Sequence, residues 1–243
     1  MMNRTVNITE QEYDYHVEFP AGNKTSCVLI RKGKSSDIFV FFQIFISHEY
    51  QPLLDFLLSK KIIPRRIIDT GANVGYFSKL VAHEFPDSTV VSVEPESGNV
   101  IQLRRNFDDK IQANQLIIVP AALWTHKSRL TIKKEEVREW AFSVSETGEG
   151  QLGDCDSLSL QDIMTLASFD HIDLLKLDIE GTEGLLFGDV NFLSLLSKVT
   201  VIAMEIHDHL AKRKKIHDTL TLHSFEFFEK GELTVAWNKK IQS

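Results

Sequence analysis

IIDTGANVGYF, Ile67 to Phe77, decides the fold. A short β-branched apolar run ends in an acid, Asp69. A loop of small residues follows, and then YFSKLVAHEF takes up helical spacing. Strand, tight turn, helix is the start of a βαβ unit. Gly71 permits a left-handed or crowded backbone at the turn. Asn73 stands where a glycine might be expected, and asparagine is the other residue that tolerates a positive φ. Gly75 lets the helix start pack close to the strand or to a ligand.

The alternation continues from there. TVVSVE reads as a strand and ESGNVIQLRRNF as a helix, then QLIIVPAALW as a strand. RLTIKK and EWAFSV suggest a hairpin insert near residues 129–156, with the Gly- and Glu-rich stretch from Glu146 to Gly153 as an exposed loop. SLSLQDIMTLASF is helical with Ser159 as N-cap. HIDLLKLDI and VTVIAMEIHD are strands separated by helical segments, and AKRKKIHDTLTLH is a helix. FEFFEKGELTVAWNK closes the chain as a hairpin turning at Lys230-Gly231. Strands alternating with helices predict an α/β fold, doubly wound and Rossmann-like, with a mostly parallel sheet and an antiparallel hairpin at its end. Residues 1–65 form a lead-in or cap and residues 66–243 the main domain. In the lead-in, CVLIRKG and DIFVFFQIFI have strand character, and HEYQPLLDFLLSKK is a helix stopped by Pro64.

The 243 residues carry a net charge of −7 with 43% hydrophobic content, as in an ordinary globular protein. The acidic balance argues against a nucleic-acid partner, which needs a basic face. No apolar run suits a membrane span, and MMNRTVNITEQEYDYH is too acidic and polar for a signal or transit peptide. The expectation is a cytoplasmic protein with no membrane partner. Cys27 and Cys155 lie far apart in no metal-type spacing and read as free thiols.

The loop excludes one ligand class. G-A-N-V-G-Y lacks the second glycine of the dinucleotide fingerprint and misplaces the third. Asp69 would set a carboxylate beside a diphosphate, but it suits a ligand ammonium. Glu94 ends the next strand, where an acid can accept hydrogen bonds from both hydroxyls of a ribose. A cation near the loop, a ribose near Glu94 and no diphosphate is the layout of S-adenosylmethionine.

With these stretches in view, IIDTGANVGYFSKLVA, VVSVEPESGNVIQLRRNF, VPAALW and DLLKLDIEGTEGLLF resemble the FkbM family of S-adenosylmethionine-dependent methyltransferases. FQIFISHEY is similar to the segment before the core in that family, and DIEGTE is the most specific match. The resemblance implies a seven-stranded sheet whose last strand is antiparallel. It implies Asp69, Gly71, Ala72, Asn73 and Gly75 around the methionine part of the cofactor, and Glu94 with Pro95 at the ribose. Ala121 and Ala122 would lie near the adenine, and Asp178 joins the cofactor set. Family members typically methylate hydroxyl oxygens of sugars or secondary metabolites.

A second constellation follows from strand periodicity. Lys176, Asp178 and Glu180 alternate on one strand, and Glu205 and His207 on the next. If those strands are neighbours, the acids and the histidine converge over the sheet's carboxyl edge. Two chemistries suit them. Asp178, Glu205 or His207 could act as catalytic general base toward a hydroxylated acceptor. Asp178, Glu205 and His207 could instead hold a divalent ion such as Mg²⁺, which would acidify that hydroxyl. His48, Glu49 and Tyr50 are candidates to close over the cofactor. Lys212 to Lys215 reads as a solvated helix face, and Trp124, Trp140 and Trp237 read as packing residues. The competing functional readings are a cofactor-binding module without catalysis and a nucleotide-cofactor oxidoreductase.

Overall fold

The structure is a computed structural model, described here for residues 6–21, 24–33, 35–107, 115–134, 142–146, 153–207 and 213–240. In chain order the first elements are β1 (Asn7–Glu10), β2 (Asp14–Ala21), β3 (Lys24–Arg31), α1 (Asp37–Phe41), a π-helical turn (Phe42–Ile46) and α2 (Gln51–Ser59). The first alternating units are β4 (Arg66–Thr70), α3 (Tyr76–Glu84), β5 (Thr89–Val93), α4 (Ser97–Asn106) and β6 (Leu116–Val119). The insert comprises β7 (Ala122–Leu123), β8 (Ser128–Lys134), β9 (Phe142–Glu146) and β10 (Cys155–Leu158). The alternation then resumes with α5 (Leu160–Ala167), β11 (Ile172–Leu177), α6 (Glu183–Leu186), α7 (Val190–Leu195) and β12 (Val199–Glu205). It closes with α8 (Arg213–Leu222), β13 (Phe225–Lys230) and β14 (Leu233–Asn238).

The main sheet has seven strands in the order β13-β14-β12-β11-β4-β5-β6. Pairing is parallel from β6 through β12, while β14 runs antiparallel to both β12 and β13. The last strand is therefore the one that runs against the rest. Consecutive residues face opposite sides of this sheet. Ile68, Leu175 and Ile202 join a core with α5, α7 and α8, while Ile67, Leu174 and Val201 join one with α2 and α3. Both faces are covered, which is why β4, β11 and β12 read as continuous apolar runs rather than alternating ones. The strand order reverses between β4 and β11, so a crevice opens there at the carboxyl ends.

The lead-in differs from its sequence reading. DIFVFFQIFI is helical rather than a strand, split between α1 and the π-helical turn. Asp37, Phe41 and Ile44 are buried at helical spacing, but Ile38, Phe39, Phe42 and Ile46 are exposed apolar residues. They fill the gaps in the pattern, so the period is invisible in the sequence. β1 and β2 were not foreseen. With β3 they make an antiparallel sheet whose Val17, Phe19, Val28 and Ile30 join the α2–α3 core. The attachment is also polar. Tyr76 donates its hydroxyl hydrogen to the Leu29 carbonyl at 2.8 Å, and the Leu29 amide donates to Asn106 Oδ1 at 2.7 Å.

QLIIVPAALW is likewise not one strand. β6 ends at Val119, because Pro120 has no N–H to continue the ladder. β7 then pairs with β10 in a second sheet ordered β7-β10-β8-β9. The expected hairpin is present as β8 and β9, but within this larger sheet. Residues 147–152 of the expected loop, as well as Trp140 and Lys212, lie outside the described residues. Ser159 caps α5 in a reciprocal box with Asp162. Among the described residues, no helix is long and apolar enough to cross a membrane.

Candidate functional site

The first loop is fixed by its neighbours. Gly71 has φ +70°, and a Cβ there would lie 1.7 Å from the Asp178 carbonyl oxygen. The amides of Gly71 and Ala72 both donate to the Val93 carbonyl at 3.0 Å. Asn73 takes φ +50°, and Gly75 takes φ +85° at the start of α3. The turn thus lies against the ends of β5 and β11, beside a cavity of about 330 Å³.

Ala72, Asn73, Glu94, Pro95 and Asn99 line one end of this cavity. Glu94 is 4% exposed. Its Oε2 accepts from the Asn73 amide at 2.8 Å, and its Oε1 accepts from the Glu96 amide at 3.0 Å and from Asn99 Nδ2 at 3.2 Å. These donors fill three of a carboxylate's roughly four acceptor positions and leave one on Oε2. Burial outweighs them and raises the Glu94 carboxyl to about 7. Asn73 Oδ1 is buried without a hydrogen-bond partner.

The other end gathers the second constellation. β11 and β12 are neighbours, and Asp178, Glu180, Glu205 and His207 all line the cavity. Glu180 has φ +51° and Gly181 φ +91°, so the chain turns sharply after β11. His207 Nδ1 lies 3.0 Å from Glu183 Oε1, while Nε2 lies 3.3 Å from Glu180 Oε2 and 3.5 Å from Glu205 Oε1. Burial opposes a charged imidazole here, but the hydrogen bond to Glu183 and the surrounding carboxylates raise it to about 9. Burial, with Asp178 close by, pushes the Glu205 carboxyl up to about 8. Asp178, Glu180 and His207 offer ligand atoms within 4.8 Å of one another. Glu180 thus takes the place in the tightest set that the sequence reading gave to Glu205.

Three expected cofactor residues lie elsewhere. The Asp69 side chain is fully buried beneath the loop, accepting from Ser78 Oγ at 2.6 Å and facing Lys176 Nζ at 3.4 Å. Its charge is met by a lysine of the same chain, and it does not line the cavity. Gly75 packs toward Leu103 and Phe107, and Ala121 lies in the apolar core. Neither lines the cavity.

Lys176 links the two ends. It is 4% exposed and donates to the Gly71 carbonyl at 3.0 Å, with Asp178 Oδ2 at 3.2 Å. Burial works against its charge, yet Asp178, Tyr50 and Asp69 hold the ammonium well above the ordinary lysine value.

Glu49 and Tyr50 line the cavity from the lead-in, while His48 does not. Val40, Gln43 and Ile44 also line it, and the strand reading of their segment hid them. Glu183 was missed as well, although it stands inside DIEGTE. Its spacing three residues after Glu180 was the available signal.

A family model described as Methyltransferase FkbM domain matches residues 69–230. No curated protein matches the sequence. Among solved structures, the chain is similar to magnesium protoporphyrin IX methyltransferase from Synechocystis PCC 6803, a structure with bound SAM. The identity is 12%, with a TM-score of 0.50 and 86% of each chain covered. It is also similar to the METTL16 methyltransferase domain, with 12% identity, a TM-score of 0.50, and 79% of this chain and 67% of that one covered. A methyltransferase FkbM from Methylobacillus flagellatus KT shares 15% identity with a TM-score of 0.47, covering 71% of this chain. The present chain spans 43% of that protein's length. The sheet order, with its one reversed strand, and a family match over two thirds of the sequence agree: this chain belongs to the FkbM family of S-adenosylmethionine-dependent methyltransferases.

Proposed function

We propose that the protein binds S-adenosylmethionine and methylates a hydroxyl oxygen of a small acceptor of the sugar or secondary-metabolite class. One observation carries this reading. A single cavity is lined at one end by Ala72, Asn73, Glu94 and Asn99 and at the other by carboxylates at Asp178 and Glu205. A ribose hydroxyl on the cofactor suits the first end, at the open acceptor position on Glu94 Oε2. The cofactor supplies an electrophilic methyl on a sulfonium, which leaves as a neutral thioether when the acceptor oxygen takes the methyl. The chain's own part is placement and proton removal. Holding the hydroxyl in line with the methyl supplies much of the acceleration. Glu205 receives the hydroxyl proton. Both ring nitrogens of His207 already face carboxylates, so His207 positions Glu205 and Glu180 rather than acting as the base. Asp178, tied to Lys176, orients the acceptor.

Calorimetric titration with S-adenosylhomocysteine, with NADH as control, tests the cofactor. Binding of the first alone is expected. Transfer of labelled methyl to polyhydroxylated acceptors, compared with amine and thiol analogues, then tests the reaction. A folded protein that binds neither nucleoside would remove the proposal, and methyl transfer confined to amines would remove its oxygen chemistry.

The pH dependence of binding is a separate check. Without ligand, the fold favours the protonated Glu94, so this group's contribution to stability falls as pH rises from 4.5 to about 7. A ribose hydroxyl needs the ionised form. Affinity for S-adenosylhomocysteine should therefore rise with pH, by up to about tenfold per unit below the Glu94 midpoint, and level off above it. Glu94→Gln should bind more weakly and show a flat profile over the same range. A flat profile in the parent protein would exclude Glu94 as the ribose contact.

A further inference from the structure

Five carboxylates line the acceptor end of the cavity: Glu49, Asp178, Glu180, Glu205 and Glu232. Among the described residues, the cationic side chains lining it are Lys176 and His207, and Lys176 already faces Asp69 as well as Asp178. Carboxylates are thus gathered where water is partly excluded, and a bound cation would offset the charge of those that ionise.

Geometry identifies the cation's place. Donor atoms bound to one ion at about 2.1 Å stand roughly 3.0–3.5 Å apart when adjacent and about 4.2 Å apart when opposite. His207 Nε2 lies 3.3 Å from Glu180 Oε2 and 3.5 Å from Glu205 Oε1. The ligand atoms of Asp178, Glu180 and His207 all fall within 4.8 Å of one another, so a contraction of a few tenths of an ångström closes the set. A second observation is independent of these acids. His207 Nδ1 faces the fully buried Glu183 at 3.0 Å. A carboxylate on the far ring nitrogen is the arrangement that fixes a metal-bound imidazole and turns its Nε2 toward the ion.

We infer that Asp178, Glu180 and His207 form a binding site for one divalent cation of the Mg²⁺ or Mn²⁺ type, with Glu205 beside it. Two carboxylates and one imidazole suit a hard to borderline ion and leave positions open. The acceptor's hydroxyl, with a neighbouring oxygen, would occupy those positions. This role rests on the methyltransferase reading, but the ion site itself does not. An ion on the hydroxyl oxygen weakens its O–H bond, and the proton passes to Glu205 as the oxygen takes the methyl.

Mn²⁺ is the probe, followed by loss of its free electron paramagnetic signal on titration into the full chain. One ion per chain is expected, displaceable by excess Mg²⁺. Asp178→Asn, Glu180→Gln and His207→Gln should each weaken binding at least tenfold, while the exposed Glu226→Gln leaves it unchanged. Thermal unfolding of Asp178→Asn, Glu180→Gln and His207→Gln beside the parent serves as the folding control. Absence of Mn²⁺ binding in protein that binds S-adenosylhomocysteine would overturn the metal site and leave the methyltransferase reading standing. Mn²⁺ binding without S-adenosylhomocysteine binding would do the reverse. Equal Mn²⁺ affinity in all three variants and the parent would also overturn the site.

Discussion

Gly71→Ala is expected to be the most damaging single-methyl change in the chain. The added carbon would sit 1.7 Å from the Asp178 carbonyl oxygen, where contact normally begins at about 3.3 Å. That atom is backbone, held where the Asp178 amide bonds the Thr70 carbonyl, so no side-chain rotation relieves the overlap. Gly231 offers the right comparison. It has φ +61°, but a methyl added there would meet nothing within 4 Å, so Gly231→Ala reports the conformational cost alone. That cost should be about 1 kcal/mol. Gly71→Ala adds the displacement of β11's end and should lose more than about 4 kcal/mol, a fall in Tm of at least roughly 8 °C. Binding of S-adenosylhomocysteine should go with it, since the same loop carries Ala72 and Asn73 into the cavity. Thermal unfolding of the two variants side by side decides the matter. Equal shifts would mean that the loop slides away from Asp178 at little cost.

Lys176→Met comes second. Methionine keeps much of the length and removes the charge. Asp69 is then left fully buried with no cation beside it, and Asp178 loses its closest one. Breaking a buried pair from one side costs about 3–5 kcal/mol, because the remaining charge is unmet. Adding Asp69→Asn should restore at least half of the loss, since the amide oxygen can still accept from Ser78. Urea unfolding of the parent, single and double variants measures both numbers. A single variant within about 1 kcal/mol of the parent, a change ordinary surface substitutions can approach, would show that the pair is not a structural element.

The sequence made the sheet legible because both faces of β4, β11 and β12 are covered. Burial on two sides writes uninterrupted apolar runs, and their carboxyl ends showed where Glu94, Asp178 and Glu205 would gather. The spacing could not distinguish an acid that faces a ligand from one that faces a lysine. Asp69 is the example: it is the direct partner of Lys176 across the β4–β11 ladder, and only the register reveals that. The lead-in was least legible. Its aromatic residues occupy both the buried and the exposed sides of α1 and the π-helical turn, which removes the period that marks a helix. Glu183 was hidden for a different reason. Its partner His207 is 24 residues away, and the spacing after Glu180 alone does not relate the two.

The cavity is drawn from two separate parts of the chain. The family match ends at residues 69 and 230, and it holds the glycine turn, Glu94, Asp178, Glu205 and His207. Val40, Gln43, Ile44, Glu49 and Tyr50 lie before it and Glu232 just after, yet all six form wall. The wall is therefore written in stretches both inside and outside the family match. Substitutions in the first fifty residues can reshape the cavity while every backbone bond of the glycine turn stays in place. A lineage could remodel the cavity by editing residues 40–50 alone.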